Sequence, residues 1–210
     1  MVESSFKKPL VGMCIAAVLW TVMFSPWTSP YVNFWIMMTC SGIILTSYST
    51  WARPLWWKDV RLDFSNIILG VLLAAALWGV FWVGDKLSSL MFNFARPQVD
   101  MIYGMKEGEN PWVLTALMLL IIGPAEEIFW RGYIQNSLSK RWNPNVGFIV
   151  TTLVYSLVHV SKFNFMLIMA AAVAGFIWGL AYRFFPEKFG AILISHALWD
   201  CAVFIWFPIM

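Results

Sequence analysis

Stretches of about 20 mostly apolar residues follow one another along this chain, each close to the length an α-helix needs to cross the hydrocarbon core of a bilayer. They cover 10–27, 31–50, 66–83, 111–139, 146–160, 165–182 and 189–208. A shorter run, 87–95, reads as an interfacial helix or an irregular further element. Inside hydrocarbon every backbone amide must find its partner within the chain, so runs of this kind fold as helices. The expected fold is all-α: a polytopic transmembrane helix bundle of about seven spans, or eight, forming a single domain. That domain covers 1–210, with no repeat or low-complexity tract.

Composition agrees. A chain that is 60% hydrophobic and 12% charged, with a mean hydropathy of +0.72, lacks the polar side chains to cover a soluble globule. Its 14 Trp and 6 Tyr suit the aromatic belts at the two membrane interfaces. A net charge of +3 is too small to point to a nucleic acid partner; the expected surroundings are the lipid bilayer. Cys14, Cys40 and Cys201 all fall in apolar runs and form neither a disulfide framework nor a zinc motif. Lys7 and Lys8 precede the first run as in a signal peptide, but 25–30 (SPWTSP) lacks a small-x-small cleavage site, so the run is expected to be a retained span. The basic residues set the orientation. With the N-terminus cytoplasmic, Lys7, Lys8, Arg53, Lys58, Arg61, Lys140, Arg141, Arg183 and Lys188 fall inside, against Lys86, Arg96, Lys106 and Lys162 outside.

Ionisable groups at membrane depth are costly unless paired, and their default reading is functional. Here they are few. The chain's 2 histidines, His159 and His196, both lie in apolar runs. So do Glu126, Glu127, Arg131 and Asp200. The motif-bearing helices thus occupy 111–208. Gly123-Pro124 should bend the fourth helix just before the two acids, and a break at that depth implies a covering cavity beside Glu126. The turn signal Trp142-Asn143-Pro144 makes the fourth and fifth helices an antiparallel hairpin. At 1.5 Å per residue, Glu126 and His159 then stand at one height, roughly 23 Å above that turn. Asp200 rises about 16 Å along the last helix, with His196 one turn lower. Glu127 and Arg131 have the i,i+4 spacing of a helical ion pair, and His196 and Asp200 share a face in the same way. Glu126 is left free to take a proton from water, and His196 with Asp200 to meet an oxyanion on a peptide carbonyl.

At these residues the chain resembles the CAAX prenyl endopeptidase and bacteriocin-processing (CPBP, Abi) family of intramembrane proteases. The resemblance rests on Glu126-Glu127-xxx-Arg131, Tyr155-xxx-His159 and His196-xxx-Asp200, in that order on separate helices. It implies an intramembrane endopeptidase of glutamic type in which Glu126 and His159 activate water, His196 and Asp200 stabilise the oxyanion, and Glu127 with Arg131 is structural support. Two departures stand out. Tyr155 replaces the commoner Phe, and Asp200 stands where prenyl-processing members usually have Asn, so Asp200 acts as a neutral donor or orients His196.

Plainer readings compete. A buried Glu127–Arg131 pair can simply lock a helix, and the remaining polar groups can be interhelical glue. The Trp and Met stripes read as packing and interface anchors, and Cys201 as an apolar filler. Glu126, His159 and His196 also form a His₂Glu set of the thermolysin kind, which keeps zinc as an alternative to the expected absence of a cofactor, although no HExxH pair preorganises it. The expected substrate is a membrane-associated protein or peptide processed near its C-terminus or as a precursor. The expected location is the inner membrane of a prokaryotic cell, crossed many times. A non-catalytic immunity protein of the same fold and a proton-relaying transporter are the other classes.

Overall fold

The computed structural model describes residues 6–209, which are helical with no strand among them. The helices are α1 (Lys7–Phe24), α2 (Phe34–Ala52), α3 (Phe64–Met91), α4 (Ala95–Tyr103), α5 (Pro111–Arg141), α6 (Pro144–Leu157), α7 (Phe165–Phe184) and α8 (Phe189–Cys201). A π-helical turn, Ala202–Trp206, continues α8. Five of the helices start on an Asx side chain that accepts a backbone N–H of the first turn. Asn33 caps α2, Asp63 α3, Asn110 α5, Asn143 α6 and Asn164 α7. Pro111 and Pro144 sit at the first helical positions, where the missing amide costs nothing.

Among the described residues 6 helical segments are long and apolar enough to cross a membrane, those of α1, α3, α5, α6, α7 and α8. The protein is a polytopic membrane bundle. The expected second span, α2, is not among these six because hydroxyl side chains lower its hydropathy. Thr39, Ser49 and Thr50 each donate to the carbonyl four residues back, at 2.8–2.9 Å, while Ser41 Oγ and Thr46 Oγ1 are buried without a hydrogen-bond partner among the described residues. α2 is 19 residues long and packs against α1 and α5.

Two sequence expectations need correction. The run 87–95 is no separate element: its first part is the end of the 28-residue α3, and the short helix is α4, just beyond it. Nor does Gly123-Pro124 break the fourth helix. π-helical turns over Met118–Ile122 and Ile128–Gln135 flank the pair, and Gly123 N–H reaches the Met118 carbonyl five residues back. That wider turn accommodates the proline ring and its missing donor within one continuous helix, Pro111–Arg141.

Close backbone contacts fix α8 in the bundle. A Cβ on Gly70 of α3 would stand 2.7 Å from Ile194 and 2.9 Å from the Ala191 carbonyl, and one on Gly123 of α5 would stand 2.8 Å from Ala197 Cα. Gly190 lies against the Arg61 carbonyl. The loops around 25–33, 92–110 and 158–164 meet at one end of the bundle, where Asn33 Nδ2 donates to Glu109 (3.1 Å), Asn164 Nδ2 donates to the Gln98 carbonyl (2.8 Å), and the Trp27 and Phe163 rings meet edge-on. There α4 roofs an apolar pocket of about 350 Å³ between α3, α7 and the end of α8. Arg96 of α4 bonds Asp85 (3.2 Å), Asp100 and the Ile209 carbonyl, while the Ile209 N–H donates to the Tyr103 hydroxyl. Lys106 donates to the Phe204 carbonyl, and burial of its amine lowers its pKa.

Candidate active site

Three motif-bearing helices and the turn after one of them converge on a cavity of about 110 Å³. Glu126 enters from α5, Tyr155 from α6, His159 from the turn beyond α6, and His196 and Asp200 from α8. Apolar side chains, among them Phe24, Met38, Ile122 and Ala171, form the rest of the wall. At about 30 Å³ per molecule the space suits a few waters, and its polar groups give them partners. Leu167 and Phe204 line both this cavity and the large apolar pocket, forming a shared wall.

The carboxylate of Glu127 is the hub of the α5–α8 contact. Its Oε1 accepts from Arg131 Nη1 at 2.7 Å and contacts His196 Nδ1 at 2.6 Å, with all three side chains buried. The expected helical ion pair is therefore present, but Glu127 also holds a histidine on another helix. Arg131 turns its second nitrogen to the Gly175 carbonyl (3.1 Å), and its guanidinium lies over the Tyr155 and Trp178 rings. Gly175 permits this packing, because a Cβ there would come within 2.7 Å of the Tyr155 ring. Trp178 stacks on His196, ring centroids 3.9 Å apart and 20° from parallel, and donates its indole N–H to Ser195 Oγ.

This corrects the expected partnership on α8. His196 and Asp200 do share a face, but Nε2 and Oδ1 stand 3.6 Å apart, too far for a hydrogen bond, so the firm partner of His196 is Glu127. Asp200 borders the cavity beside the histidine. Glu126 Oε2 and Glu127 Oε2 are both buried without a hydrogen-bond partner among the described residues, but of the two carboxylates it is Glu126 that lines the cavity.

His159 also departs from expectation. α6 ends at Leu157, so the histidine stands in the turn that follows rather than within the helix. Its Nδ1 is 2.8 Å from the Tyr155 carbonyl, which can only accept, so Nδ1 carries the proton. Nε2 is then bare, and it accepts the indole N–H of Trp20 on α1 at 3.1 Å. Glu126 and His159 thus face one cavity, as their equal heights imply, without the histidine's free nitrogen pointing unclaimed into it.

Trp20, Trp178 and Ser195 were not singled out by sequence reasoning. Nothing distinguishes Trp20 or Trp178 from the other tryptophans in the chain, and only adjacency to His196 marks Ser195. Among the described residues no three His, Cys, Asp or Glu side chains are grouped to hold a metal ion. The His₂Glu alternative finds no ready ligand set, with His159 Nε2 on Trp20 and His196 Nδ1 on Glu127.

A helical membrane bundle with carboxylates and imidazoles gathered around a buried cavity defines a class: a multi-pass membrane protein with an intramembrane polar site. Residues 108–202 match the model of a family described as Type II CAAX prenyl endopeptidase Rce1-like, so this part of the chain is similar to that family. Glu126, Glu127, Arg131, His159, His196 and Asp200 all lie inside the match. Comparison with curated proteins and with solved structures returned no match.

Proposed function

We propose that the protein is an intramembrane endopeptidase that hydrolyses a peptide bond in a membrane-associated protein or peptide, with Glu126 as general base. The observation that carries this reading is the convergence of Glu126, His159, His196 and Asp200 on one small polar cavity at membrane depth, Glu126 keeping an unpartnered oxygen. A water in the cavity gives its proton to Glu126, and its oxygen forms a bond to the scissile carbonyl carbon. The electron pair of the C=O bond moves to oxygen. When the tetrahedral species collapses, the C–N bond breaks and Glu126 returns the proton to the leaving nitrogen.

The proton inventory assigns the oxyanion donor. With Nδ1–H on Glu127, His196 can donate from Nε2 only when both ring nitrogens are protonated, and the Glu127 carboxylate is the counter-charge for that state. Glu127 is thus more than a helix lock, since it orients and balances His196. Asp200 beside Nε2 serves as a neutral second donor or orients the ring. The mechanism needs no metal. The adjoining apolar pocket supports a substrate with an apolar portion, which would lie there while the peptide reaches the cavity past Leu167 and Phe204. The basic loops favour a cytoplasmic N-terminus, so the end of the bundle roofed by α4 faces outward from a prokaryotic inner membrane.

The test compares membrane proteomes of cells making the parent protein and the Glu126→Gln variant, scored by mass spectrometry for newly formed C-termini. New termini only with the parent, at equal levels of folded protein, are the expected result. Identical termini with both proteins refute the assignment of Glu126.

A further inference from the structure

His159 has a single lone pair to offer, and it is already taken. The Tyr155 carbonyl fixes the proton on Nδ1 at 2.8 Å, which leaves Nε2 as the only ring atom able to hold a water. That nitrogen accepts the Trp20 indole N–H at 3.1 Å. Trp20 lies in α1, outside the span of the family match, and its side chain is buried. Its ring meets those of His159 and Trp130 edge-on, at 6.1 and 6.4 Å. The indole can only donate, and a doubly protonated imidazole has no lone pair to accept it, so this contact belongs to neutral His159 alone.

We propose that Trp20 is the resting partner of His159 Nε2, and that it must yield this nitrogen to the reacting water before His159 can take part in cleavage. The inference rests on the endopeptidase reading and names how its site is held closed. The two sides of the contact differ in backbone setting. Trp20 sits within an α-helix packed on its neighbours, whereas His159 sits in a turn that leads into a short 3₁₀ segment and then Phe163, whose φ of 53° is left-handed. Re-aiming the imidazole therefore needs an adjustment of the turn, not a shift of a helix. The titratable groups that share the cavity with His159 are Glu126, Tyr155, His196 and Asp200, while α1 and α2 bring it only Phe24, Phe34, Trp35 and Met38. Among the described residues the hydrogen bond to Nε2 comes from Trp20, so Trp20 is the group that the water displaces.

Trp20→Phe keeps an aromatic ring and removes the donor. In lipid nanodiscs, with a quenched fluorogenic peptide as probe, it should raise kcat/KM by about two- to tenfold, the equivalent of one net hydrogen bond that no longer has to be broken. A variant that is folded yet unchanged or slower overturns the proposal, since a ring needed for packing or positioning would give that result. A second measurement does not depend on the variant folding. With only 2 histidines in the chain, ¹⁵N NMR of the parent resolves the ring nitrogens of His159 once one is assigned by substitution. The expected signature is a protonated Nδ1 and a bare, hydrogen-bonded Nε2; a proton on Nε2 overturns the proposal. Cleavage that survives Glu126→Gln would instead remove the reading on which the proposal rests.

Discussion

Removing the Glu127 carboxylate strips the counter-charge from Arg131 and the hydrogen-bond partner from His196 at once, and the size of the effect follows from the geometry. Arg131 and Glu127 are 1% and 0% exposed and joined at 2.7 Å. Breaking such a pair by deleting one member costs about 3–5 kcal/mol, because the surviving charge stays buried. In a chain of this size each kcal/mol moves the melting temperature by roughly 2–4 °C, so Glu127→Ala should unfold about 6–20 °C below the parent. Arg131→Met should fall by a comparable amount. The double variant removes both charges together, and replacing a buried pair by apolar groups is often close to neutral, so it should regain more than half of the loss. Thermal unfolding in detergent, followed by tryptophan fluorescence, measures all three against the parent. Cleavage should be lost in Glu127→Ala and in the double variant, because His196 Nδ1 no longer has its acceptor. Losses in the double variant equal to the sum of the single ones, or a Glu127→Ala protein that melts with the parent, would refute the hub assigned to this carboxylate.

Asp200→Asn should keep most activity if a neutral donor is what the site needs, and lose it if an ionised carboxylate orients His196; the rate of the purified variant decides, and indifference to Asp200→Ala would remove the residue from the chemistry. Treatment with a chelator followed by buffer exchange should leave cleavage intact, while loss restored by added zinc would establish a metal mechanism. Gly123→Ala places a methyl 2.8 Å from the backbone of α8 and should destabilise the bundle by about 1–3 kcal/mol. Gly79→Ala, with nothing within 4 Å of the added carbon, should melt with the parent or slightly above it.

The membrane bundle was legible in the sequence because length and hydropathy alone force it: a run of apolar residues in hydrocarbon has no alternative to a helix. The site was legible for a related reason, since buried charge is rare enough in such runs to stand out, and equal distances from the Asn143-Pro144 turn place Glu126 and His159 at one level. What spacing could not convey was direction across helices. An i,i+4 rule pairs His196 with Asp200, yet packing of α8 on α5 brings Glu127 to its other nitrogen at shorter range. The same limit hid Trp20, whose contact with His159 spans 139 positions. The unbroken helix across Pro124 has another cause: a proline inside a helix can be accommodated by a wider turn, which composition does not reveal.

The two flanks of the cavity are built to different tolerances. α8 meets its neighbours almost backbone to backbone at Gly190, Gly70 and Gly123, so it can neither slide by one residue nor turn without collision. It is an anvil: whatever enters must fit His196 and Asp200 where they stand. The opposite flank is a turn hung between α6 and α7 and held by side-chain contacts instead of backbone-to-backbone packing. Adaptation to substrates of different bulk therefore falls to one side of the cleft, and sequence change that alters what is accepted should gather in 158–171 and leave the glycines of the α8 contact untouched.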